Sequence, residues 1–526
     1  MEVGEAKAID EEDLFDEPPA TDNQLRYNEI FYLDLGSQSN IYGSTKLRYP
    51  TTTQERLIVA TLSGKVSCLE RCEVPNKAAG LFHSTHDMQA REVSFTYIPG
   101  DAEIISIDSF YQHESLAGSK YLAVGITLIK FTGGDHNPNN AQHFFNIYTA
   151  LQPGAEFDLD NIAQSCEHHP LDYTPYQLTH ADVFSKGSGG KYEPVFLVCG
   201  SDKKIHMFRG DSLKQQSFVE KSIEKYFPEF ASIPGCVMWV DTQNCNDYKR
   251  ISSLGCDNGY LQVSLTDTYK LCVLASWNLS LDGPISSIRL FCLATERGGY
   301  TTTTNFAVSS VRNLCNAEDV VALVTSCLEV SVVYMNVASK GLSDMVILND
   351  SDQYDSVTCS CISDIDCDGN NEVILGTYGQ ELLVYKAIAD IDGQVRWDLL
   401  WKRQFSKPLL AINCLDLMGD GMMELVVVSL TGVHILQPDV QKALEILLTK
   451  FVRHPEDYIE DSSDLNKQVK EIKETYKLER AKKLSVSCEE NQEVKLDDDK
   501  VTDDAVTDVG SALENCNIKE ESVVKD

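Results

Sequence analysis

From residue 57 to residue 436 one pattern keeps returning: an apolar run, a small or polar turn that usually holds glycine, and a second apolar run. It reads LIVATLSGKVSC at 57–68, FLVCGSDKKIHMF at 196–208, SLGCDNGYLQV at 253–263, EVILGTYGQELLVY at 372–385 and ELVVVSLTGVHIL at 424–436. Two poorer copies are YLAVGITL at 121–128 with FFNIY at 144–148, and VVALVTSCLEVSVVY at 320–334. Short apolar runs bounded by turn residues read as strands, and two joined by such a turn read as a hairpin. The pattern predicts seven hairpins.

Their spacing predicts how they assemble. Counted at Leu62, Gly125, Gly200, Cys256, Ser326, Thr377 and Leu430, the steps are 63, 75, 56, 70, 51 and 53 residues, room for four short strands each. A further strand recurs upstream of several hairpins, as at 103–110, 237–241, 357–366 and 409–416. A small antiparallel sheet cannot bury both faces alone, whereas radial stacking buries them against neighbours. The expected fold is therefore all-β, a seven-bladed β-propeller over 27–437. A pair of β-sandwiches is the alternative; the ring is preferred because no linker of distinct composition interrupts the pattern. Closure should come from an N-terminal strand, with FYLDLG (31–36) and SNIYG (39–43) as the donors, because pairing there removes free sheet edges.

After the ring the period changes. PDVQKALEILLTKFVR at 438–453 places Leu444, Leu447, Leu448 and Phe451 on one helical face. A second helix at about 464–483 places Leu465, Val469, Ile472 and Tyr476 on the seam of a short coiled coil. A C-terminal α-helical extension over 438–485 is expected, either packed on the ring or acting as a partner-binding arm. A short helical pattern is also read at 213–230, and the polar stretches 73–91, 131–142 and 295–305 read as loops.

Charge sets limits on partners. The 526 residues carry 45 Lys+Arg and 80 Asp+Glu, a net charge of −35. Such a surface repels phosphate backbones and anionic lipid heads, so neither nucleic-acid binding nor a polybasic membrane patch is expected. Residues 1–24 hold nine acids and one Lys, and residues 486–526 hold thirteen acids and four Lys. Both ends lack apolar periodicity and are read as disordered acidic tails. No run of about 18 apolar residues is present, and the N-terminus has no signal-peptide pattern, so direct membrane insertion is not expected. The 17 cysteines are scattered, without a CxxC pair or zinc spacing, and most lie in apolar runs; they read as small buried hydrophobes of a reducing cytosol.

The sharpest motif is Asp364-Ile-Asp366-Cys-Asp368-Gly369-Asn-Asn-Glu372. Alternating carboxylates on a tight loop can surround a hard cation with oxygen, so Asp364, Asp366, Asp368 and Glu372 are the candidate calcium ligands. The flanks are strands, unlike an EF-hand, and the arrangement resembles the cation loop of FG-GAP repeats in integrin α-subunit propellers. The competing reading is a turn in which Asp side chains accept loop amides without metal. It is favoured because the second copy, Asp416-Leu-Met418-Gly-Asp420-Gly-Met-Met-Glu424, has Met418 at a ligand position. No cofactor is otherwise expected. Gly187–Lys191 lacks the Walker spacing, His83/His86 and His168/His169 lack zinc partners, and no nucleophile motif points to an enzyme.

Several long stretches carry a resemblance. SQSNIYG (37–43), FTYIPGDAEIISIDSF (95–110), FDLDNIAQSC (157–166), YTPYQLTHADV (173–183), the run 352–386 and the run 409–437 resemble the kaptin family, and the likeness covers nearly all of 30–450. The region before the ring and that after about 455 match less well, and the literal Phe-Gly…Gly-Ala-Pro signature is absent. The resemblance implies a non-enzymatic cytoplasmic protein with an FG-GAP/integrin-α-like propeller. It further implies a subunit of the KICSTOR scaffold, partnered by a second FG-GAP propeller protein. That scaffold holds the GATOR complex at lysosomes and restrains the TOR kinase when amino acids or glucose are low. The alternative it implies is an actin-associated protein at actin-rich cell projections.

Overall fold

Seven four-stranded antiparallel sheets account for every strand among the described residues. The structure, a computed structural model, describes residues 25–48, 55–72, 87–112, 121–131, 141–151, 159–185, 191–211, 217–294, 315–389 and 394–453. The sheets are the blades of a seven-bladed β-propeller. Blades 1 to 6 run in chain order from Ser44–Glu92, Ala102–Leu171, Pro175–Lys221, Val237–Ser280, Ile285–Ile347 and Val357–Gln404. Blade 7 combines Leu409–Leu415, Glu424–Ser429 and Gly432–Pro438 with the N-terminal strand Tyr27–Asp34.

Each of the seven predicted hairpins is the central pair of one blade. Those strands read as continuous apolar runs because blades flank them on both sides. Val320–Ser326, Glu372–Thr377 and Glu424–Ser429 are buried at every position. Packing between blades forms the core. Leu57, Val59 and Leu69 of blade 1, for example, share one cluster with Val426, Val428 and Ile435 of blade 7. The first strand of blades 2 to 7 carries an irregularity near its start, such as Ile104/Ser106 and Val357/Cys359. A bulge there bends the strand where it approaches the ring centre.

Closure uses the N-terminal strand. Tyr27–Asp34 pairs antiparallel with Gly432–Pro438, from Tyr27↔Pro438 to Asp34↔Gly432. Phe31–Asp34 of the first expected donor lies in it. The second expected donor, 39–43, forms no strand; it crosses between blades instead. Ser39 donates to the Ser429 carbonyl (2.8 Å), Asn40 to that of Ile104 (3.0 Å) and the Tyr42 hydroxyl to that of Met238 (2.6 Å). These acceptors belong to blades 7, 2 and 4.

The helical pattern at 213–230 is also corrected. Phe218–Lys221 is the outer strand of blade 3, followed by 3-10 turns at Ile223–Lys225 and Pro228–Phe230. Burial of Phe218 among Phe110, Phe145 and Phe196, and its N–H donated to Glu167 (2.7 Å), outweigh local helical periodicity. The expected tails at 1–24 and 486–526, the helix at 464–483, residues 187–190, His83 and His86 lie outside the described residues.

Candidate functional site

The acidic loop of blade 6 connects strands Val357–Ser363 and Glu372–Thr377. Its shape comes from carboxylates that accept backbone amides. Asp364 takes the N–H of Asp368 (3.0 Å) on one oxygen and that of Gly369 (2.8 Å) on the other. Asp366 also accepts from Asp368 (3.1 Å), and Asp368 from Asn370 (2.7 Å). Cys367 and Gly369 turn the chain at φ +61° and +90°. Glu372, fully buried, accepts the Ile365 N–H (2.9 Å) across the loop.

One oxygen each of Asp364, Asp366 and Glu372 lie within 4.8 Å of one another, as a cation site requires. A cation is already there. The ammonium of Lys386, from the next strand Glu381–Ala389, pairs with Asp366, with Asp368 (2.6 Å) and more distantly with Glu372 (3.9 Å). Burial works against that ammonium, but its bonds to Asp366 and Asp368 outweigh burial and raise its pKa above the ordinary lysine range. Burial likewise opposes ionisation of Asp368, and Lys386 prevails, holding the carboxyl below its usual value. Glu372 is pushed up to about 9, first by burial and then by the charges of Asp366 and Asp368. With Lys386 in place, the residues do not fit a divalent cation, which would meet an ammonium among the same oxygens.

The loop joins the two ends of the ring. Tyr27 of the closing strand donates its hydroxyl to the Ile365 carbonyl (3.0 Å). Cys367 packs with Leu25 and with Ala443 of the helix Val440–Arg453. That helix begins at Asp439, whose side chain accepts the N–H groups of Gln441 (3.0 Å) and Lys442 (3.2 Å). Its ring-facing contacts are Ala443 and Ile446. Leu444 is 54% exposed, so this residue of the predicted stripe is not on the face the ring covers, whereas Leu448 is half-buried. The side chains of Leu447 and Phe451, and all of Leu465, Val469, Ile472 and Tyr476, lie outside the described residues.

The histidine pair is structural. His168 bonds Asn146 (2.7 Å), and His169 lies 3.4 Å from Glu167. Sequence reasoning missed Lys386. The signal was the hairpin register: one step beyond Val373↔Tyr385, Lys386 falls opposite Glu372.

A family model described as KICSTOR complex protein kaptin matches residues 27–448. The chain belongs to the kaptin family. The kaptin match begins at the first residue of the closing strand and ends inside the helix that packs on Cys367, so it covers the ring together with the start of that helix. The mouse (Mus musculus) KICSTOR complex protein kaptin is 39% identical over 427 residues, which is 81% of this chain and 91% of the mouse protein. Among solved structures, BBS1N chains from complexes with ARL6DN, soaked with mercury or with lead, align with a TM-score of 0.44. They are 9% and 10% identical, and each alignment covers 78% of this chain and 96% of the other.

Proposed function

We propose that this chain is a non-enzymatic scaffold subunit of a KICSTOR-like complex. In this reading it helps hold the GATOR complex at lysosomes and restrains TOR kinase signalling when amino acids or glucose are scarce. The observation that carries the reading is kinship along the whole ring, 39% identity over 81% of the chain to a protein named for that complex. The chain is then cytoplasmic and peripheral at the lysosomal surface through its partners; no helix among the described residues is long and apolar enough to cross a membrane. The helical region supplies part of the contact with a second FG-GAP propeller protein. Leu444 offers apolar surface that the ring leaves open, and in this reading Leu447, Leu448, Phe451, Leu465, Val469, Ile472 and Tyr476 belong to the same contact by the sequence pattern. The acidic loop serves as a turn whose charge is balanced internally by Lys386, with no cofactor.

Affinity purification of the tagged full chain from starved and fed cells tests this. Recovery of KICSTOR-type subunits in both states is the expected result. Recovery of actin without them overturns the scaffold reading in favour of an actin-associated protein.

A further inference from the structure

The outermost strand of a blade presents a row of backbone N–H and C=O groups that another strand can pair with, and proteins blunt such edges with charge, proline or brevity. Six of the seven blades do so. The edges Asp87–Glu92, Val395–Gln404 and Tyr27–Asp34 carry charged residues within the strand. Cys166–Leu171 includes Pro170, and the edges of blades 3 and 5 are only four and three residues long.

Blade 4 is the exception. Its edge, Cys272–Ser280, runs nine residues, CVLASWNLS, with neither a charge nor a proline. No position in it is buried, and among the described residues no strand pairs with its outer side. Leu274, 50% exposed, is the extra residue where the register shifts between Leu265↔Ala275 and Thr266↔Val273. The segment from Tyr248 to Leu279 holds six of the seventeen exposed large apolar side chains among the described residues. Two of them, Tyr248 and Leu271, sit at φ +57° and +58°, a region bulky side chains avoid. The strand is braced from the blade 5 side: a Cβ on Gly341 would lie 2.3 Å from the Trp277 ring. A rigid strand with an open outer side loses little freedom on accepting another.

We propose that Cys272–Ser280 is a docking edge that takes an extended segment of a partner subunit as a fifth strand of blade 4. This inference rests on the scaffold role proposed above. Main-chain hydrogen bonds would supply the pairing, and the exposed Val273, Leu274 and Leu279 select a segment with apolar side chains. The segment is uncharged, because the edge has no ion to answer a charge. A second copy fits poorly, since two chains of net charge −35 repel when brought edge to edge. The chain's own C-terminal stretch fits no better: its thirteen acids against four Lys over 486–526 would meet no cation there.

The test is amide hydrogen exchange over 272–280 in the full chain, alone and co-purified with its KICSTOR-type partner subunits. The edge should exchange freely alone and slow by about tenfold or more in the complex. Replacing two exposed positions, Ser276→Lys with Asn278→Lys, should abolish that protection and weaken association by about tenfold with the melting temperature unchanged. A complex that forms with the edge unprotected overturns the docking edge and leaves the scaffold role standing. Failure of the subunits to associate at all overturns both. Protection in the chain alone overturns the inference as well, in favour of a second copy where it depends on protein concentration and of the chain's own tail where it does not. Where the double variant melts early, the wild-type comparison decides.

Discussion

Blades 6 and 7 carry the same loop with different electrostatics. In each, an Asp opens the loop and accepts amides across it: Asp364 from Asp368 and Gly369, Asp416 from Gly419 (2.6 Å) and Gly421 (2.9 Å). In each, a fully buried Glu closes it: Glu372 on the Ile365 N–H, Glu424 on the Leu417 N–H (2.8 Å). The difference lies at two linked positions. Blade 6 has Asp366 where blade 7 has Met418, and opposite the buried Glu blade 6 has Lys386 where blade 7 has Gln437. Gln437 reaches Glu424 at 3.5 Å. An extra carboxylate comes with an ammonium, and its loss comes with a neutral amide. The loop shape is thus set by carboxylates capping amides, and the lysine answers the surplus charge.

Breaking the charge balance in blade 6 should have the largest effect. Lys386→Met leaves Asp366 and Asp368 without their cation and should cost about 2–4 kcal/mol, since removing one partner of a largely buried ion pair strands the other. Gln437→Met in blade 7 should cost under about 1 kcal/mol, the value of one long neutral hydrogen bond. Urea denaturation of the two variants compares them directly; equal losses would show that the lysine does not balance the loop.

Installing the imbalance in blade 7 sharpens the point. Met418→Asp alone should destabilise by about 1–2 kcal/mol, and adding Gln437→Lys should recover most of that. A double variant no more stable than the single would separate the two positions.

The last comparison is of pH dependence. Burial, and then Asp420, push Glu424 up to about 8, against 4.5 for a free carboxyl. The folded state therefore holds a proton that the unfolded chain releases above about pH 4.5. Stability from this group is present at low pH and is lost as pH rises toward 8. Glu424→Gln mimics the protonated acid, so its denaturation midpoint should fall less between pH 5 and pH 8 than that of the wild type. Parallel profiles would contradict the assignment.

These contrasts also mark what the sequence made legible. The seven hairpins stood out because strands flanked by neighbouring blades are apolar throughout. The closing strand was legible only at Phe31–Asp34. Its first residues, a half-buried Tyr27 and the exposed Asn28–Ile30 on the edge of blade 7, carry no apolar run. The C-terminal helix was legible, but not its buried face. Leucines drew attention, whereas the small Ala443 permits close approach to Leu25 and Cys367. Lys386 lies fourteen residues from Glu372, and only strand register brings the two together. The carboxylate spacing alone therefore could not distinguish a calcium loop from one balanced within the chain.

The most direct test is calorimetry of the full chain with calcium and with chelator. With Lys386 as the cation, the melting temperature should be the same in micromolar calcium and in chelator. A rise of several degrees on adding calcium would contradict the account, because only a loop that binds the ion in its folded form gains stability from it.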